Sequence, residues 1–395
     1  MHPASELVRA LAQSETLTTI RQTLDPQRIV QEAISIQQIA APTFAEEQRS
    51  IYVREQFKRY ALADISSDDL FNVYGRWPGT DSNRPALLVC AHLDTVFPAT
   101  TDLAVRHQGR RVYGAGLGDN SLGVASLLTL IRIFEEYDLR PTPDIWFVAN
   151  SREEGLGDLG GIRAVWQRLA NRLAAGIVLE GTALGRVYHA GIAVRRLRIT
   201  CRAPGGHSWI HFGQPNAIHG LVQLGARIVE LTPPTQPRTT YNIGLIEGGH
   251  SVNSLATTAS FYLDLRSETP QTLLTFEQQI AELIDRVRGP DLSFEVTTVG
   301  DRPAGEIPVT HPLVQLATAA LQTIDHPVTY EKGSTDANVL LANGLPTVTV
   351  GITYGRHAHR LDEYIETDPI ADGIWQALLL VLSAAEQAHT WRDPG

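Results

Sequence analysis

The sequence predicts an α/β fold, a mainly parallel sheet flanked by helices, interrupted by an inserted α+β domain. Three observations carry this. Four unbroken apolar runs, PALLVCA into His92, DIWFVAN into Ser151-Arg152-Glu153-Glu154, AAGIVL into Glu180, and PTVTVGI, read as strands buried on both faces. Helical patterns alternate with them up to about Gly181. From about Gly191 to Gly300 the texture shifts to alternating strands (VRRLRITCRA, ASFYLDLRS, LSFEVTTVG) with amphipathic helices between them, the pattern of a smaller antiparallel α+β unit. The expected organisation is a larger domain in two parts, 1–190 and 304–395, interrupted by an inserted domain at 191–303.

In chain order, Thr43-Phe-Ala-Glu46 reads as a capping box opening a helix that aligns Val53, Phe57 and Tyr60. SLGVASLLTLIRIFEEY, ending at Tyr137, is a buried helix whose first turn lies beside Asp119. Inside the insertion, helices are expected from Pro215 to Leu231 and from Gln271 to Val287. The parallel texture resumes with a helix from His311 to Thr323 and the PTVTVGI strand. Asp368-Pro369 then caps the last helix, IADGIWQALLLVLSAAEQA, with the proline expected at its first turn.

The chain of 395 residues is long for one core, which favours two domains. Its net charge of -10, spread without acidic or basic blocks, argues against nucleic acid or an anionic membrane as partner. Two cysteines, Cys90 and Cys201, exclude a disulfide framework. The first residues lack the apolar core of a signal peptide, so a cytoplasmic location is expected.

Ligands in open α/β sheets bind outside the carboxyl ends of the strands, where His92, Asp94, Glu153, Glu154 and Glu180 all fall. Asp119 on its glycine-flanked turn and His359 beyond PTVTVGI complete a donor set of imidazole and carboxylate without thiolate. Such a set suits zinc, manganese or cobalt, and paired ions about 3.5 to 4 Å apart share one carboxylate. Asp119 is the candidate bridge. Asp94, two residues past His92, is placed to fix the imidazole tautomer. Of the adjacent glutamates, one binds metal and the other serves as general base, because neighbours on an extended backbone point apart. His357 competes with His359 for the last position.

These motifs resemble the di-zinc metallopeptidase family of acetylornithine deacetylase, succinyl-diaminopimelate desuccinylase, aminoacylase, glutamate carboxypeptidase and peptidase T, with its zinc-exopeptidase type of fold. The matching residues are His92-Leu-Asp94-Thr-Val, Gly114-Ala-Gly-Leu-Gly-Asp119-Asn, Glu153-Glu154-Gly-Leu-Gly and His359-Arg-Leu-Asp-Glu363-Tyr. In the insertion, Gly205-Gly-His207-Ser, Gly248-Gly-His-Ser-Val-Asn253 and Leu263-Asp-Leu-Arg266 are similar to the family's lid. The likeness implies two divalent ions per chain, zinc first with cobalt or manganese as alternatives. It implies His92 and Glu180 on one ion, Glu154 and His359 on the other, and Glu153 as the base. It assigns His207 to the oxyanion, often across a homodimer formed by the lid, and Asn253 and Arg266 to a substrate carboxylate. The Gly333-Ser334-Thr-Asp-Ala loop resembles one that lines the cleft. The spacing to Glu363-Tyr364 favours His359 over His357. One departure is Asp119-Asn120-Ser121, where many members carry Asp-Asp-Lys.

In this family a glutamate at the position of Glu180 accompanies carboxypeptidases and deacylases. The expected function is therefore hydrolysis of an amide or peptide bond in a small N-acyl amino acid or short peptide. A di- or tripeptide aminopeptidase resembling peptidase T is the alternative. A non-catalytic zinc-binding pseudoenzyme is the alternative of another class, against which the complete ligand set and Glu153 speak.

Overall fold

The computed structural model describes residues 3–391, which form two compact units. The first comprises the chain up to Gly191 and from Gly305 onward; the second is Ile192–Ala304.

At the centre of the first unit, four parallel strands lie in the order Ile145–Asn150, Ala86–His92, Leu173–Glu180, Thr347–Gly351. Almost every residue in them is buried, as strands covered on both faces require. The flanks make the sheet mixed. Val73–Trp77 pairs antiparallel with Ile145–Asn150, and Arg186–Gly191 pairs antiparallel with Thr347–Gly351. Register aligns the carboxyl ends of the central strands, setting His92 opposite Asn150 and Gly351 opposite Glu180. Four functional segments thus leave the sheet at one edge.

Helix Leu122–Glu136 packs against Ala86–His92 and Leu173–Glu180, and Ile370–Gln387 lies against it. By length and composition the stretch Leu117–Glu136 could cross a membrane, but 89% of its apolar window is buried inside the protein. It is a core helix. Three amino-terminal helices unread in the sequence, Pro3–Ala12, Glu15–Thr23 and Pro26–Gln37, precede this core, the last two opened by Ser14 and Asp25 side-chain caps.

Two expected helix starts are corrected. Thr43 and Glu46 form no capping box: the helix is Glu47–Phe57 and its cap makes no side-chain hydrogen bond. Both side chains bond to other segments instead, so the local signal was overridden by tertiary contacts. Pro369 is the cap residue of Ile370–Gln387 rather than its first turn, and Asp368 pairs with Arg110 at 3.0 Å.

A small antiparallel sheet has the order Gly355–Arg356, Tyr364–Glu366, Arg111–Tyr113, Arg106–Gln108. Its first hairpin carries His359 at the tip, and the Arg111–Tyr113 strand runs into the turn that holds Asp119.

The second unit is a four-stranded antiparallel sheet in the order Thr239–Gly248, Thr258–Ser267, Ala193–Arg202, Ser293–Arg302. Helices Ala217–Val229 and Pro270–Val287 pack on each other and on its two central strands. Leu197, Ile199, Cys201, Leu263 and Leu265 are buried in this core, while the alternate residues Arg196, Arg198, Asp264 and Arg266 are half-buried.

Candidate metal centre

His92 ends its strand almost wholly buried, with Nε2 3.2 Å from Asp119 Oδ1 and 3.8 Å from Glu180 Oε2. His359 enters from the hairpin tip, its Nε2 3.2 Å from Asp119 Oδ2 and 3.1 Å from Glu154 Oε1. Two groups therefore form, His92–Asp119–Glu180 and Asp119–Glu154–His359, each with ligand atoms within 4.8 Å of one another. Asp119 alone belongs to both. A further grouping of His92 with Glu153 and Glu154 puts Glu153 at the same centre. His357 belongs to no such group among the described residues; its Nδ1 lies 2.9 Å from Asp362 Oδ2.

The donor set fits divalent cations on electrostatic grounds. Several carboxylates converge in a buried space, where uncompensated like charge is costly. Protons offset that charge in the metal-free protein. Burial, with the Asp119 charge beside it, pushes Glu154 up to about 7, and burial raises Glu180 well above the carboxylate range. Hydrogen bonds to Asp119 and Glu154 push His359 up to about 10. Burial alone would raise Asp119, yet its hydrogen bonds to His359 and His92 hold it well below the usual range. Bound cations would take over the role of those protons.

Residues 88–382 match the profile of peptidase family M20/M25/M40. The chain belongs to this family. Among its relatives, carboxypeptidase G2 of Pseudomonas sp. (strain RS-16) is 24% identical over 325 residues, 79% of this chain and 76% of that protein. Acetylornithine deacetylase of Klebsiella pneumoniae (strain 342) is 26% identical over 306 residues, covering 73% and 77%. The crystal structure of aminopeptidase PepT from Bacillus cereus ATCC 10987 superposes with a TM-score of 0.71 at 20% identity, over 92% of this chain and 99% of that one. As a member of the M20/M25/M40 family, the chain is a metal-dependent peptidase or amidohydrolase with the fold read from its sequence.

Around the centre of this M20 peptidase, buried side chains fix the backbone. Asp94 does more than face His92. Its backbone carbonyl lies 3.1 Å from His92 Nδ1 and its Oδ1 3.6 Å away, while its carboxylate accepts the backbone N–H groups of Glu153 and Glu154, both at 2.9 Å, and the Thr43 hydroxyl at 2.8 Å. Glu363, almost wholly buried, accepts the N–H groups of Gly116, Gly118 and Asp119 at 3.1, 2.6 and 2.9 Å. A Cβ on Gly118 would come within 3.0 Å of that carboxylate, so the turn needs glycine there. Asn120 donates to the Leu179 carbonyl at 2.9 Å and accepts from Gly181 N–H at 2.8 Å, bracketing Glu180. Sequence reading saw Glu363 only as a spacing mark and Asn120 only as a departure, because each works through backbone groups remote in sequence.

Gly333 ends the Thr329–Gly333 strand opposite Gly191, and Ser334 follows it. Two residues on, the buried Asp336 accepts a hydrogen bond at 2.8 Å from Asn150, the last residue of its strand. Burial, with the Glu153 charge near it, raises Asp336 to about 7. The loop was legible in the sequence, Asp336 included, but no role for that carboxylate was.

His207, Asn253 and Arg266 all belong to the second unit. His207 pairs with Ser254 in a two-residue ladder, and Ser208 N–H donates to the Asn253 carbonyl at 3.0 Å, so those two residues come together. Arg266 does not join them. It lies eight residues along the strand that starts at Thr258, about 26 Å at about 3.3 Å per residue. Its Nε donates to Asp264 at 2.6 Å, and Asp264 also accepts from Arg196 at 2.9 Å.

Proposed function

We propose that this M20 peptidase is a two-zinc hydrolase that removes an acyl group or a carboxyl-terminal residue from a small substrate bearing a free α-carboxylate. Asp119 carries the reading: its two oxygens face His92 and His359 separately, each at 3.2 Å. That supports one ion held by His92, Asp119 and Glu180 and another by Asp119, Glu154 and His359. Bound there, the ions would polarise the substrate carbonyl and make water more acidic.

Glu153 is the proposed base, taking a proton from the attacking water and returning it to the leaving amine. Its neighbour Glu154 is turned to His359, which supports separate roles for the two glutamates. His207 is the proposed donor to the oxyanion. Its Nδ1 accepts Trp209 N–H at 3.2 Å, so the neutral ring carries its proton on Nε2 as a donor. Asn253 and Arg266 would hold the substrate carboxylate, and Gly333 and Ser334 would line the cleft. Arg266 stands eight residues, about 26 Å, along its strand from Thr258, whereas Asn253 precedes that strand in the chain. A homodimer through the second unit, each chain lending part of its partner's site, accommodates both. Buried unpaired Cys90 and Cys201 suit a reducing compartment and support a cytoplasmic location.

The names carboxypeptidase G2 and acetylornithine deacetylase, together with Glu180, support the carboxylate-bearing substrate. The likeness to aminopeptidase PepT, and an Arg266 already bonded to Asp264, favour a di- or tripeptide aminopeptidase as the second reading. Rates on N-acyl amino acids and on their amides separate the two. The free acid is expected to be preferred more than about tenfold, the worth of one charge-assisted contact, and Arg266→Lys, which lacks the guanidinium fork, should erase the preference. Equal rates on acid and amide, unaltered by Arg266→Lys, would put the aminopeptidase first.

A further inference from the structure

Four consecutive backbone N–H groups approach the metal centre on the segment Ser151–Glu154, and each is captured by a buried side chain from elsewhere in the first unit. Ser151 N–H donates to Asn72 Oδ1 at 2.9 Å, Arg152 N–H to Glu46 Oε1 at 3.1 Å, and Glu153 and Glu154 N–H to the two oxygens of Asp94 at 2.9 Å. Arg152 sits at a φ of 55°, a conformation an L-residue holds only when its surroundings impose it. Asp94 belongs to the histidine motif, and Asn72 immediately precedes the neighbouring strand Val73–Trp77. Glu46 comes from a separate segment.

That segment is keyed to the same loop. Glu46 is 0% exposed, and its Oε1 also accepts Phe44 N–H at 3.1 Å. The Arg152 guanidinium lies 5.2 Å from the Phe44 ring centroid, Thr43 donates to Asp94, and a Cβ on Gly157 would fall 2.6 Å from the Thr43 methyl. Residues 43–46 therefore clasp the loop from both its ends.

We propose that Glu46 is a positioning residue: by holding the Arg152 N–H it sets the left-handed turn that aims the Glu153 carboxylate at the substrate. The inference rests on Glu153 being the base. What the turn needs from residue 46 is an oxygen acceptor at the right reach, whatever its charge.

The test uses the metal-loaded enzyme with Glu46→Gln, which keeps length and acceptor, and Glu46→Asp, which keeps charge and draws the oxygen back by one methylene. Glu46→Gln should retain kcat within about threefold, whereas Glu46→Asp should lower kcat more than about tenfold, with KM and metal stoichiometry unchanged, because a displacement near 1 Å of a catalytic group costs about that much or more. In a Glu153→Ala background, Glu46→Asp should lower the residual rate no further, since a group acting only through Glu153 has nothing left to aim. The proposal is overturned if Gln falls as far as Asp, if Asp leaves kcat unchanged or sheds metal, or if Asp lowers the Glu153→Ala rate by its full factor. Wild-type turnover in Glu153→Ala would instead defeat the base assignment itself.

Discussion

Glu153 and Asp119 stand at one centre, but their loss should be felt differently. On the proposed roles, Glu153→Ala removes the base without removing a ligand, so two metals per chain should remain while turnover falls by about 10²- to 10⁴-fold. Asp119→Ala takes an oxygen from both ions and should cost metal as well as activity. Metal analysis beside a rate assay distinguishes them, and near wild-type turnover in Glu153→Ala would dismiss the base. The protonation of the centre adds another expectation. His359 is pushed up to about 10 by Asp119 and Glu154, and Glu154 up to about 7 by burial, so at pH 7 the metal-free site holds protons that the ions must displace. Groups with raised pKa are protonated below that value, hence metal uptake should release more than one proton and tighten as pH rises. Calorimetry in buffers of different ionisation enthalpy measures this, and buffer-independent heats would contradict it.

Among the elements, the turn holding Asp119 hangs on the carboxylate of Glu363, the residue just before the Tyr364–Glu366 strand. Glu363→Ala frees three N–H groups at that turn and should weaken metal binding about 10- to 100-fold, in line with other groups that orient ligands. Competition with a chelator reads this directly, and unchanged affinity would make Glu363 a bystander. The central strands were legible because burial on both faces leaves an unbroken apolar run, as in Ala86–His92, and the ligands at their ends followed from that. The Thr239–Gly248 strand was not picked out: it is an edge strand, mostly exposed, with little apolar pattern to betray it. Thr43 and Glu46 misled for another reason. A threonine three residues before a glutamate is a local signal, but Glu46 was taken by the loop carrying Glu153 and Thr43 by Asp94. His359 and Asp119 could be named from spacing and residue type, but their shared geometry depends on a hairpin and a turn paired through Tyr364 and Tyr113, which no local pattern displays.

On the scale of the whole molecule, the proposed homodimer motivates a test by mixing. If His207 and Asn253 serve the partner's centre, inactive His207→Ala and Glu153→Ala chains should regain activity when their subunits exchange, because one site of the mixed dimer keeps both groups. No recovery after verified exchange would return His207 to its own chain. Thr347–Gly351, for its part, lies between Leu173–Glu180 and Arg186–Gly191, strands adjacent in sequence. The chain makes the two sides of that slot early and its occupant late. As the polypeptide emerges from the ribosome, the largest sheet must wait with a gap at its middle, and the insertion, whose own sheet closes entirely from residues 193–302, has all its strands in hand before the first unit does. His359 arrives later still. With His359 as the proposed ligand, hydrolytic competence waits for residue 359: no shorter amino-terminal intermediate of synthesis carries both ends of the metal centre.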